Sequence, residues 1–212
     1  MTTTAQSIIK QAQELLQDPD GTRWSAVDLV AHLNDGQRAL VEARPEMFAA
    51  TVAIALVAGA RQTVPATCAK LLEVPRNTGG AAIRPVERAM LDAVEPTWYT
   101  KTGVTTIKHS THDTREPHVF YVYPPAAVGA SVDAVCAVWP ADVAAPGGAA
   151  YSTVTGNINC KDDFKNALLH FVVSRAYMVD AEFGGNAALA ASHNQLFTAH
   201  AGGTGPAIAS KE

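Results

Sequence analysis

Residue periodicity predicts an α+β fold: helices from both ends of the chain form one discontinuous bundle of about four helices, with an antiparallel β-rich region inserted between them. Three observations predict it. Apolar residues recur at helical spacing near both termini. Between about residues 49 and 139 the pattern shifts to short alternating runs broken by Gly and Pro. Neither terminal pair of helices can bury its apolar stripe alone, so each is the natural cover of the other. The expected organisation is N-terminal helices over 1–48, a β-rich insertion over 49–160, C-terminal helices over 161–200 and a flexible extension over 201–212.

Ile8, Ile9, Ala12, Leu15 and Leu16 make the first stripe, with Thr3 and Gln6 spaced as a capping box. Asp18-Pro19-Asp20-Gly21 stops that helix. Ser25 starts the next as N-cap, Asp28 sits near the positive end of its dipole, and Trp24 can staple onto Leu29. The second stripe holds Ala26, Leu29, Val30, Leu33, Leu40 and Val41, with Gly36 in the middle. Glycine there costs about 1 kcal/mol relative to alanine, so the expected compensation is close approach of another backbone.

Strand signals follow at Val52, Ile54 and Leu56, at Gln62-Thr63-Val64, and at Leu72 and Val74. A short helix is expected over 86–94. The β-prone run Val119 to Tyr123 should end at Pro124-Pro125, and a further strand covers 132–139. Residues 144–155, with Pro146-Gly147-Gly148, read as an exposed loop. Asp162 or Asp163 can cap a third long helix bearing Phe164, Leu168, Phe171, Val172 and Val179, closed by Gly184-Gly185. Asn186 can cap a fourth, with Leu189, His193, Leu196, Phe197 and His200 on its stripe. Trp24, Leu29, Leu33, Gly36, Leu40, Leu168, Phe171 and Val172 are the expected helix-packing residues.

Composition narrows the function. Of 212 residues, 39 are Ala, while Leu, Ile, Val and Phe together make only 47, or 22%. The chain is therefore globular but lightly cored and suited to completing its burial against neighbours. A net charge of -4 argues against a protein that coats nucleic acid by neutralising phosphates. No apolar run approaches a membrane span, and no secretory signal is expected. Cys68, Cys136 and Cys160 are odd in number and far apart, which fits a reducing, cytosol-like compartment and neither a disulfide framework nor a zinc site.

Chemical motifs are sparse. His109, His112 and Asp113, with His118 nearby, could supply two imidazoles and a carboxylate to a metal-dependent hydrolase; the plainer alternative is a polar loop that contains histidines. No phosphate-binding loop and no nucleophile elbow occur. Gly202-Gly203-Thr204-Gly205 follows a helix instead of preceding one, so it reads as a flexible tail. Asp180 and Glu182 sit at the unfavourable end of the third helix and call for a cation such as Arg175. Arg84 and Arg88 could share a helical face; Arg76, Lys101 and Lys108 are scattered. No catalytic, cofactor-binding or metal-binding residue is assigned.

Several segments, in order, resemble the head-to-tail adaptor (connector) proteins of short-tailed bacteriophages. They are 24–45, centred on Leu33-Asn34-Asp35-Gly36-Gln37-Arg38; 72–79, with Val74-Pro75-Arg76-Asn77; 83–98, with Leu91-Asp92-Ala93 and Pro96-Thr97-Trp98; Phe120-Tyr121-Val122-Tyr123-Pro124-Pro125; and 167–197, with Ser174-Arg175-Ala176-Tyr177 and Asp180-Ala181-Glu182-Phe183. The resemblance implies a structural virion protein at the head–tail interface, assembled in the host cytoplasm without a membrane or a cofactor. It implies a homo-oligomeric ring of about a dozen copies beneath the portal protein, meeting the tail nozzle and tail fibres and passing genomic DNA. It also implies a C-terminal extension that docks on the portal, which here places Gly202, Gly203, Pro206 and Ile208 at that contact. An acidic channel wall would let DNA slide, with Asp162, Asp163, Asp180 and Glu182 as candidates.

Overall fold

In the computed structural model, residues 3–179 and 185–202 are described. In chain order the helices and strands are α1 (Ala5–Leu15), α2 (Ala26–Ala43), β1 (Ala49–Ala55), β2 (Gly59–Thr63), β3 (Cys68–Asn77), β4 (Arg84–Pro85), α3 (Arg88–Val94), β5 (His109–His112), β6 (Val119–Ala126), β7 (Ser131–Val138), α4 (Lys165–Val179) and α5 (Asn186–Ala201). The fold is α+β. The chain divides into two units: one takes the residues up to Arg44 and those from Pro140 onward, and the other is Pro45–Trp139.

In the helical unit, α2 begins as its sequence dictates. Ser25 Oγ accepts from Asp28 N at 3.2 Å and donates to Asp28 Oδ2 at 2.7 Å, a reciprocal cap. Helix α1 begins one residue later than the expected box. Thr4, not Thr3, is its N-cap, accepting from Ser7 N at 3.3 Å. Thr3 instead ties its backbone to the returning chain: its N–H donates to Asp162 Oδ1 at 2.6 Å and its carbonyl accepts from Ile158 N at 3.1 Å. Asp162 therefore binds the main chain just ahead of α1 and does not cap α4, whose first turn is preceded by a short 3-10 turn, Asp162–Phe164. Asp18 accepts from Thr22, Arg23 and Trp24 N–H groups and so shapes the turn between α1 and α2.

Helix α4 is the centre of this unit, in contact with α1, α2 and α5. Ala167, Leu168, Phe171, Val172, Val173, Ser174 and Ala176 are all buried, leaving no broad polar face. Gly36 lets it approach α2. A Cβ there would lie 2.9 Å from Phe171 Cδ1 and 3.2 Å from Leu168 Cδ2. The close approach is thus of side chains onto bare helix, not of backbone onto backbone as expected, because the bulk lies on α4. Helix α5 follows with Gly185 at its N-cap position and no side-chain cap; Asn186 is its first helical residue.

Residues 140–160 fold with the helices instead of closing the β insertion. Val143, Val154 and Ile158 are buried, and three helix amides hold the segment by its backbone. Gln13, fully buried, donates to Ala149 O at 3.2 Å and accepts from Tyr151 N at 3.2 Å. Asn34 donates to Val143 O and accepts from Val143 N. Gln37 accepts from Asn159 N at 2.7 Å. Arg38 Nη2 adds a charged contact to both carboxylate oxygens of Asp142, at 2.9 and 2.8 Å.

The β unit has two sheets with strand orders β1-β7-β3 and β2-β6-β5-β4. All pairs are antiparallel except β4–β5, which is parallel. One core joins both sheets, including Ile54, Leu71, Ile107, Phe120, Val122 and Val132. The run Val119–Ala126 continues as strand through Pro124-Pro125, past its expected end. Asn77 anchors the sheet margin from a buried position: its amide donates to Ile107 O and Ala81 O and accepts from Ile107 N.

Two substitutions test the helical packing. Gly36→Leu overpacks the α2–α4 contact and should cost about 1–3 kcal/mol in urea unfolding with the m-value unchanged. Gln13→Ala empties a fully buried amide site and takes from Tyr151 N its acceptor, and should cost about 1–3 kcal/mol by the same measurement.

Candidate functional site

His109 and His112 lie on β5, three residues apart and therefore on opposite faces of the strand. The His109 ring is half-buried and stacks on Tyr123 at 6.0 Å, while His112 and His118 are exposed. The Asp113 carboxylate is already engaged: Arg115 Nε sits 3.0 Å from both oxygens and its backbone N–H adds another bond. The Arg115 guanidinium holds the Asp113 carboxyl down at about 2. Among the described residues no three His, Cys, Asp or Glu side chains are grouped to hold a metal ion. The histidine run does not converge as a hydrolase would require. Of the three histidines only His112 lines an open groove of about 910 Å³, with Arg88, Thr111, Asp113, Arg115 and Tyr121, where both signs of charge mix.

Beside this groove stands a second, aromatic core. Trp98 is fully buried, stacks on Tyr99 at 3.8 Å and meets Tyr121 and Tyr123 edge-on. Its indole N–H donates to Asp92 Oδ1 at 2.8 Å. Strand alternation explains the run Phe120-Tyr121-Val122-Tyr123: Phe120 and Val122 enter the main core, and the two tyrosines face Trp98. Tyr123 hydroxyl also bonds Glu95, which pairs with Lys101. Arg84 and Arg88 share no helical face, since Arg84 lies on β4. The Arg88 guanidinium covers the Tyr99 and Tyr121 rings at 5.6 and 5.5 Å. Arg76 pairs with Asp133 at 2.7 Å. Arg76 and Arg88 are thus both engaged within the β unit.

The helical unit has its own polar cluster, which sequence reasoning took for part of an apolar stripe. His170 of α4 and His193 of α5 place their Nδ1 atoms 3.0 Å apart, and the His200 ring stacks on His170 at 5.6 Å. The spacing of His193 and His200, seven residues on one helix, was the available signal. Burial first, then the neighbouring His193 and His200, pushes His170 down to about 4. Burial also lowers His193. One of the two Nδ1 atoms donates and the other accepts, so the pair cannot carry a proton on both.

Around this cluster, Ser174 Oγ donates to Ala190 O at 2.9 Å, and Phe171 meets Phe197 edge-on at 5.0 Å. Trp24 docks on α4, its indole N–H donating to Ala176 O and its ring edge-on to Tyr177. Apolar surface remains open: Met178 is 55% and Val179 77% exposed, although Val179 belonged to the expected buried stripe. A groove of about 480 Å³ between α4 and α5 is lined by Phe171, Arg175, Met178, Ala190 and Asn194. Of the expected packing residues, Leu29, Leu33, Gly36, Leu40, Leu168, Phe171 and Val172 are buried and Trp24 is half-buried. Arg175 lies over the Phe171 ring. Gly202 is the C-cap of α5 and donates to Thr198 O. Asp180, Glu182, Gly184, Gly203, Pro206 and Ile208 fall outside the described residues.

Among the described residues the geometry offers grooves, apolar patches and packed motifs, with no catalytic constellation. Residues 3–207 match the family described as SU10 adaptor protein. The chain belongs to that family. No curated protein sequence matches it. It is a bacteriophage head-to-tail adaptor, a structural protein, and no described helix is long and apolar enough to cross a membrane.

The segments through which the adaptor resembles its family have physical reasons in the fold. Asn34, Gly36, Gln37 and Arg38 seat α4 and the returning chain. Asp92 and Trp98 build the aromatic core. Ser174 to Tyr177 face α5 and Trp24. Because the native pKa of His170 lies below its ordinary value of 6.5, the unfolded adaptor binds that proton first as pH falls. Stability present above pH 6.5 should therefore decline toward about 4, above the range where most carboxylates titrate. Melting temperature measured from pH 7.5 to 5 should fall less steeply in His170→Gln than in the native adaptor.

Proposed function

We propose that the adaptor assembles as a ring of about a dozen copies between the portal protein and the tail nozzle, its opening continuing the channel by which DNA leaves the capsid. Family membership across residues 3–207 is the observation that carries this reading. Three features support it. The net charge of -4 disfavours tight capture of DNA phosphates, which suits a conduit. Met178, Val179 and Leu189 leave apolar surface on the helical unit for neighbours to cover. The Trp98 indole and the amides of Gln13, Asn34 and Gln37 spend their hydrogen bonds on holding the fold, as suits a structural part.

In the same reading the segment from Gly202 through Gly203, Pro206 and Ile208 reaches the portal, while tail nozzle and fibres take the opposite side. Assembly takes place in the host cytoplasm and the product stays in the virion. The test is to mix purified adaptor with purified portal rings and image the product. A closed adaptor ring under each portal is expected, with lower occupancy when residues 203–212 are deleted. Adaptor that stays off the portal at every concentration would end the proposal.

A further inference from the structure

Edge strands of soluble sheets are ordinarily protected against pairing with another chain by charge, proline, bulges or a covering loop. Three of the four sheet edges in the β unit carry such protection. Strand β3 contains Lys70, Glu73, Pro75 and Arg76, shifts register three times against β7, and has Leu71 N bonded to Pro117 O. Strand β2 carries Arg61 and a register shift beside it. Strand β4 is two residues long and ends on Pro85.

Strand β1 has none of these devices. Its sequence, Ala-Ala-Thr-Val-Ala-Ile-Ala, lacks charge and proline, and its seven residues pair with β7 without a shift. Five of the remaining side chains besides Val52 and Ile54 are exposed. The parity of its free edge follows from one bond: Leu56 N donates to Ala130 O at 2.9 Å, in the register of β1 with β7. Antiparallel bonding alternates along a strand. Ile54, Val52 and Ala50 therefore bond toward β7, and Ala49, Thr51, Ala53 and Ala55 turn their N–H and C=O groups outward. Among the described residues no hydrogen bond reaches those outward groups.

We propose that β1 is a docking edge for a second copy of this chain, joined β1 to β1 as an antiparallel, two-fold pair. The strand is its own complement. Centred on Val52, Thr51 faces Ala53 and Ala49 faces Ala55, so every outward group meets an outward group, about eight hydrogen bonds in all. No charge opposes a like charge. The two small sheets become one of six strands, and the half-buried Val52 meets its own copy at the axis. Val57, just beyond the strand and 63% exposed, widens the apolar margin. A two-fold contact closes on itself and builds no ring, so this pairing stands or falls independently of the ring proposed above.

One strand pair is a small interface, which places the dissociation constant between about 1 μM and 1 mM. Sedimentation velocity of the full-length protein over that range should show a monomer–dimer equilibrium. Ala53→Lys puts charge on the edge, and Ala53→Pro removes an outward N–H that β7 does not use; each should raise the dissociation constant roughly tenfold or more. Melting curves verify that the variants fold, and Ala53→Lys alone suffices should the proline variant not fold. Register has its own readout. Val52→Cys lies at a non-hydrogen-bonded pair across the axis, where the spacing suits a disulfide, and mild oxidation should link it to dimer. Cys68 and Cys136 are buried and Cys160 is half-buried, so the native chain, oxidised in parallel, sets the background. A native protein monomeric throughout, a dimer untouched by Ala53→Lys, or a Val52→Cys variant that links no more than the native chain would each overturn the proposal.

Discussion

Helix α4 has apolar or small residues on nearly every side, and such a helix is stable only when enclosed. Its enclosure is assembled from distant sequence: α1 and α2 come from the first 44 residues, α4 and α5 from the last third. Neither part can bury its apolar surface without the other, so the helical unit forms only after the whole β unit has been traversed. Contacts of that sequence separation cost loop-closure entropy before they return anything. The bare patch at Gly36, where Phe171 and Leu168 lie against α2, sets how near α4 can come and hence how the remaining helices are spaced.

The strong regularities were readable from the chain. The Ser25–Asp28 cap, the α2 stripe from Leu29 to Leu40 and the alternation around Phe120 and Val122 all depend on neighbours a few residues away, and local chemistry decides them. What escaped prediction depends on partners far off in sequence. Thr3 resembles a cap, yet Asp162 and Ile158 compete for its backbone and win. Residues 144–155 have loop composition, but Gln13, more than a hundred residues earlier, holds Ala149 and Tyr151 in place. His193 and His200 sit at helical spacing among Leu and Phe, and only the position of His170 on another helix makes them a cluster. The run at His109 had the opposite fate: residues adjacent in sequence are separated by the pleat of β5.

The two tyrosines of β6 illustrate why a structural motif can look as specific as a catalytic one. Tyr121 and Tyr123 face Trp98, whose indole must find an acceptor when buried, and Asp92 supplies it from α3, six residues earlier. Each residue type is constrained by geometry, although none performs chemistry. Family resemblance in this chain consequently tracks packing requirements, and its charged residues are spent on neighbours such as Asp133 and Asp113.

Gln13, Asn34 and Gln37 reach across to the main chain of residues 143–159 and touch none of its side chains through these bonds. Evolutionary drift is therefore asymmetric. The segment can exchange most of its exposed residues while keeping its path, because the helices grip main-chain atoms that every amino acid but proline supplies. The three amides have no such freedom, and a change at any of them would have to be matched by a redrawn crossing of the chain.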